Sequence, residues 1–115
     1  MAACKLGDVV KVPFPFPYTD RSTRQSRPAL VISTAKFVET HGLLWVVMTT
    51  SAENRGWSGD VAVMYLALAG PPVASVVRSA KVATIDAADA IRLGKVPSTT
   101  IKEVLRQVGE VIGLA

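Results

Sequence analysis

One histidine, His41, and one cysteine, Cys4, are all this chain offers for imidazole or thiol chemistry. A Ser-His-Asp or Cys-His centre needs its histidine beside the nucleophile. His41 falls in the turn-like run Glu39-Thr40-His41-Gly42 and reads as an exposed loop residue. Cys4 precedes the first strand pattern and reads as chemically idle. Two soft ligands are too few for a structural zinc centre, which takes four, and a lone cysteine forms no internal disulfide. Gly56, Gly59 and Gly70 match neither a P-loop nor a dinucleotide-binding spacing. The acidic residues are scattered, which argues against a two-metal nuclease. What remains is arginine with serine and threonine, including Arg21, Arg24 and Arg27 within seven residues, on a chain of net charge +4.

Those residue types suit phosphate. Arginine binds it bidentately, and hydroxyls add hydrogen bonds. RNA carries its own nucleophile, the 2′-hydroxyl beside each phosphate. A protein that aligns this oxygen, neutralises the charge developing on phosphorus and manages two protons can cleave RNA without a metal. The composition permits this chemistry without singling it out.

Such side chains need a frame, and the hydropathy pattern supplies one. The length suits a single domain, residues 1–115. Five β-like segments come first: residues 8–16, 27–33 (RPALVIS), 43–50 (LLWVVMTT), 61–68 (VAVMYLAL) and 75–86 (SVVRSAKVATID), and residues 88–96 can add a short strand. Polar or Gly/Pro-rich pieces such as SAENRGWSGD and AGPP divide them. The period then changes. Ile101, Val104, Leu105, Val108, Val111 and Ile112 form the stripe of an amphipathic helix. Thr100 and Glu103 fit a capping box at its start, with Ser98 as an alternative cap. The expected fold is α+β and mainly β: a small barrel of about five to seven strands with one C-terminal amphipathic helix. No apolar run is long enough to span a membrane. The first residues lack the apolar core of a signal peptide, so a cytoplasmic location is expected.

The run VPFPFPYTD shows how the frame could deliver the arginines. Alternate strand residues point their N–H groups to the same edge, so Pro13, Pro15 and Pro17 remove donors from one edge only. The segment therefore reads as a one-sided strand leaving the barrel for a loop that carries Tyr18, Arg21, Arg24 and Arg27.

At this point the sequence resembles a family, the MazF/PemK toxins of bacterial toxin–antitoxin systems, in its PemK-like branch. The matching pieces are GDVVKVPFPF, SRPALVIS, VVMTTS, SVVRSAKVATID and IKEVLRQVGEVIGL, in that order along nearly the whole chain. The resemblance implies an SH3-like barrel, usually homodimeric, acting as an endoribonuclease on single-stranded RNA. It implies no metal or other cofactor, and products with a 2′,3′-cyclic phosphate and a 5′-hydroxyl. It also implies a cognate antitoxin that blocks the RNA groove, with DNA met only indirectly through the antitoxin complex.

The same resemblance carries roles onto individual residues. Arg27 matches the arginine that stabilises the phosphate, with proton donation to the leaving 5′-oxygen as a second role open to it. Thr50 matches the catalytic threonine, with Ser51 as a neighbour able to assist. Arg78 matches an arginine used in catalysis or RNA contact, although it also reads as a structural ion pair with Asp86 or Glu53. Apart from the resemblance, Arg21 and Arg24 read either as a solvated loop or as phosphate contacts that steer RNA, Tyr18 as a contact to RNA or antitoxin, and Trp57 as a base-stacking ring or an anchor of its loop to the barrel or dimer. Ala80 stands where related members carry an acid two positions after the arginine. Ser22 lies near where others place a glutamate. The general base is therefore unassigned, and a non-catalytic toxin or binding module on the same fold is the competing reading.

Overall fold

A computed structural model describes residues 4–13, 26–51, 56–66 and 73–114. In it, six strands form one antiparallel sheet: β1 (Asp8–Pro13), β2 (Ser26–Val31), β3 (Leu43–Ser51), β4 (Asp60–Leu66), β5 (Val73–Asp86) and β6 (Ile91–Lys95). Two helices accompany it, α1 (Ala35–His41) between β2 and β3 and α2 (Ser98–Val111) at the C-terminal end. The strand order is β4-β5-β3-β2-β1-β6. The α+β, mainly β fold expected from the hydropathy pattern is present. The described ladder ends at β4 and β6 rather than closing on itself.

Both faces of the central strands are buried, as their unbroken valine and leucine runs require. On one face Val9, Leu30, Val47, Val61 and Val77 pack with Ile101 and Val104 of α2. On the other, Val10, Val12, Ala29, Val31, Val46 and Met48 form a second cluster with Leu44, Ala83 and Ile85. Successive residues of one strand thus feed different clusters, the period-two signature of a sheet.

One irregularity shapes everything near the site. Val47 pairs with Val82, but its neighbour Met48 pairs with Arg78. One step along β3 therefore corresponds to four along β5, and residues 79–81 stand outside the ladder as a bulge. Such insertions bend a strand and re-aim its side chains. The first half of β5 serves β4 and the end of β3, while its second half serves the start of β3.

Some expectations need correcting. The run Glu39-Thr40-His41-Gly42 is not a simple turn: its first three residues end α1, which Thr34 caps by accepting from the Phe37 N–H (3.3 Å) and Gly42 closes at φ +67°. Helix α2 has no side-chain cap and begins at Ser98 after Pro97, so Thr100 lies inside the first turn. Glu103 cannot complete a capping box because its carboxylate accepts from Arg106 and Gln107. Trp45 is a rim residue, half exposed and edge-on to Phe37 at 5.5 Å between centroids. The one-sided reading of the proline strand holds as far as Pro13: β6 pairs only Asp8 to Lys11, and beyond it Pro13 faces Ser26 of β2 alone. Phe14, Pro15, Phe16 and Pro17 lie outside the described residues.

Candidate functional site

The strand registers bring the three residues singled out for catalysis onto one face. Val12 pairs with Arg27 on β2, and Ala29 pairs with Met48 on β3. Continuing the β2–β3 register two residues sets Pro28 against Thr49 and Arg27 against Thr50. The Thr49 hydroxyl confirms that continuation by donating to the Pro28 carbonyl at 2.8 Å. On β5, Thr50 pairs with Val76 and Met48 with Arg78. Side chains directly opposite each other on one face stand about 5 Å apart, and diagonal ones about 7–8 Å. Arg27 and Thr50 are thus direct neighbours, and Arg78 is the diagonal neighbour of Thr50. Arg27 and Thr50 are half-buried, where the apolar face meets solvent.

Arg78 is held differently. Its Nε donates to Asp60 Oδ1 (3.1 Å) and its Nη2 to Asp60 Oδ2 (3.0 Å), a bidentate pair with side chains only 8% and 9% exposed. The Trp57 indole lies over the guanidinium at 4.4 Å, with Lys81 Nζ 5.2 Å from the same ring. Arginine over an aromatic face is attracted by the ring quadrupole. The loop that brings Trp57 there is a tight turn. Gly56 and Gly59 take φ +132° and +86°, the Asp60 N–H donates to the Trp57 carbonyl (3.1 Å), and the Trp57 N–H donates to Asp60 Oδ2 (3.3 Å). Both suggested readings of Trp57 keep support, because the ring anchors on Arg78 yet stays half exposed.

The Arg78 ion pair expected from the sequence exists, with Asp60 as the partner shown. Asp86 lies at the far end of β5, opposite Leu43. Asp60 is the residue that sequence reasoning missed. A signal was present: β4 and β5 are consecutive strand patterns, which tend to pair antiparallel, and their register sets Asp60 opposite Arg78. Ala80, exposed at the bulge, brings no carboxylate, so the acid beside Arg78 comes from the neighbouring strand. Ser79 is buried there, and its Oγ has no hydrogen-bond partner among the described residues.

Other expected residues stand apart. Tyr18, Arg21 and Arg24 lie outside the described residues, as do Ser22 and Glu53. Ser51 ends β3 opposite Ser75, one position beyond Thr50. His41 closes α1 near Phe37, 4.9 Å between rings, and shares no strand register with Arg27 and Thr50. Cys4 packs beside the second core cluster, and burial, reinforced by the Asp8 charge, pushes its thiol pKa up and away from reactivity. Among the described residues no group of three His, Cys, Asp or Glu side chains is placed to hold a metal ion, and no helix is long and apolar enough to cross a membrane.

A small antiparallel sheet with a C-terminal helix thus sets Arg27 and Thr50 side by side on one face, with Arg78 buried diagonal to Thr50. Residues 5–112 match the family described as PemK-like, MazF-like toxin of type II toxin–antitoxin systems, and the chain belongs to that family. Its fold is similar to that of MazF from Deinococcus radiodurans, with 26% identity over 96% of this chain and 97% of the other, at a TM-score of 0.76. It is also similar to a MazE–MazF complex from the same organism, with 24% identity, 98% of each chain covered and a TM-score of 0.74. An endoribonuclease bound to its cognate antitoxin, from a mycobacterial species, shares the fold at 17% identity and a TM-score of 0.70, covering 100% of this chain and 98% of that one. No curated protein matches the sequence.

Proposed function

We propose that this chain is the toxin of a toxin–antitoxin pair, a single domain over residues 1–115 that cleaves single-stranded RNA by attack of the RNA's own 2′-hydroxyl. The observation that carries this reading is the β2–β3 register that sets Arg27 against Thr50 on one face, with Arg78 diagonal to Thr50. In this reading the phosphate sits between Arg27 and Thr50. The 2′-oxygen attacks phosphorus, the bond to the 5′-oxygen breaks, and a 2′,3′-cyclic phosphate and a 5′-hydroxyl remain. Arg27 neutralises the charge that grows on the phosphate oxygens, where a positioned donor is worth most. Thr50 donates to a phosphate oxygen, and Ser51 and the exposed ring of Trp57 extend the contact to neighbouring nucleotides. Arg21 and Arg24 precede β2 in sequence and would add positive charge for RNA to meet, and Tyr18 would touch RNA or antitoxin. The 2′-hydroxyl gives its proton to solvent water acting as base, and the departing 5′-oxygen takes a proton from Arg27, which water restores. RNA attacking itself calls for no metal, and the protein works as a homodimer restrained by a cognate antitoxin in the cytoplasm.

The test is purified protein with single-stranded RNA in excess EDTA. Cleavage should persist and fall by about 100- to 1,000-fold in Arg27→Ala, the loss typical of one missing charge-stabilising donor. Thr50→Ala should also cut slowly. Cleavage that needs an added divalent cation would overturn the mechanism. A second reading, a toxin that binds its target without cutting it, is favoured by one observation, that Ala80 brings no carboxylate to the bulge beside Arg78. It predicts growth arrest on expression with intact RNA.

A further inference from the structure

We propose that Asp60 is a positioning residue of this site: together with Trp57 it fixes the Arg78 guanidinium in one pose beside the phosphate seat formed by Arg27 and Thr50. The inference rests on the function proposed above and extends it to two residues of the loop and strand that border the seat. Its physical basis is the density of restraint on one side chain. Asp60 grips Arg78 through two hydrogen bonds, which set the plane of the guanidinium. Trp57 covers one face of that plane, and its own N–H donates to the same carboxylate. Gly56 and Gly59, both at positive φ, hold the turn that places Trp57.

Stability alone is a poor reason for such an arrangement. Burying a carboxylate and a guanidinium costs several kcal/mol per ion in desolvation, and a well-packed apolar pair of similar volume is often as stable or more so. What an ion pair adds is direction. The strand order places Asp60 on β4, Arg78 on β5, Thr50 on β3 and Arg27 on β2, in that sequence across the sheet. Adjacent strands lie about 4.8 Å apart, so Asp60 is about 10 Å from the strand of Thr50. It backs Arg78 from the side away from the seat and acts through Arg78 rather than on the phosphate.

The experiment compares native protein with Asp60→Asn and Asp60→Glu on one RNA in EDTA, with a parallel set in a Trp45→Phe background where Trp57 is the sole indole. Asp60→Asn should lower kcat by about 100-fold, the order of loss from a misplacement near 1 Å, with KM changed less than about two-fold. Its Trp57 emission should shift and become more open to quenching by acrylamide, and Asp60→Glu should recover part of both signals. Because breaking a buried pair destabilises the fold, the double variant Asp60→Leu/Arg78→Met serves as a folded control. It should melt near the native temperature and cut as slowly as Asp60→Asn. Native protein that cleaves while Asp60→Asn keeps its kcat would overturn this proposal alone and leave the pair as a brace for the β4–β5 hairpin. Native protein that fails to cleave would overturn the function itself, and this inference with it.

Discussion

At the scale of single residues, the three arginine and threonine positions differ in what their surroundings ask of them. Arg27 and Thr50 sit half-buried at the end of a face that includes Val10, Val12, Ala29 and Met48. Arg78 is buried, forked onto Asp60 and covered by Trp57. The sequence showed all three residues but not this difference, because burial depends on register, and register depends on a bulge that no composition rule announces. Trp57 depends in turn on Gly59. A side chain there would have to adopt φ +86°, and its Cβ would lie 3.4 Å from Gln107 Oε1. Gly59→Ala should therefore cost more than about 1 kcal/mol. A lowered Tm accompanied by changed Trp57 fluorescence would confirm that the turn holds the ring.

At the scale of elements, the strands were legible and their ends were not. Runs such as RPALVIS and LLWVVMTT announce buried strands because both faces of β2 and β3 are covered. Helix α1 escaped notice because it is seven residues long and buries none of them, leaving no stripe to read. Asp8 adds to the backbone ladder between β1 and β6: its carboxylate accepts from the Lys5 N–H at 3.0 Å and pairs with Arg92 at 3.3 Å while the residue is only 2% exposed. Asp8→Ala should cost about 1.5–3 kcal/mol, the range for hydrogen bonds to a charged group. Denaturant unfolding with an unchanged slope would verify it. In α2, hydrogen bonding from Arg106, then from Gln107, holds the Glu103 carboxyl down to about 2, against an ordinary 4.5. A depressed carboxylate adds stability that is fully present above its unfolded value and is lost as pH falls through the folded one. Between about pH 4.5 and 2 the native protein should lose a small amount of thermal stability that Glu103→Gln lacks, as thermal melts followed by circular dichroism would show.

At the scale of the whole molecule, the chain carries a net charge of +4, which favours a polyanionic partner. If phosphates are the partner, affinity should fall steeply with salt, since each neutralised phosphate releases counterions. The helix stripe that marked α2 is only partly spent in the fold: Ile101 and Val104 are buried, whereas Val111 and Ile112 stay exposed. The fold class followed from periodicity and the family from ordered motifs, whereas the Asp60–Arg78 partnership required the hairpin register. The most direct test of the central claim, that RNA is cut by its own 2′-hydroxyl on the Arg27–Thr50 face, uses an RNA whose cut positions have been mapped. The same RNA is remade with one 2′-deoxy nucleotide on the 5′ side of the cut, and both are incubated with the protein in EDTA. The account predicts cleavage of the all-ribose strand to a 2′,3′-cyclic phosphate and no cleavage at the deoxy position. Equal cutting of the two strands would contradict it.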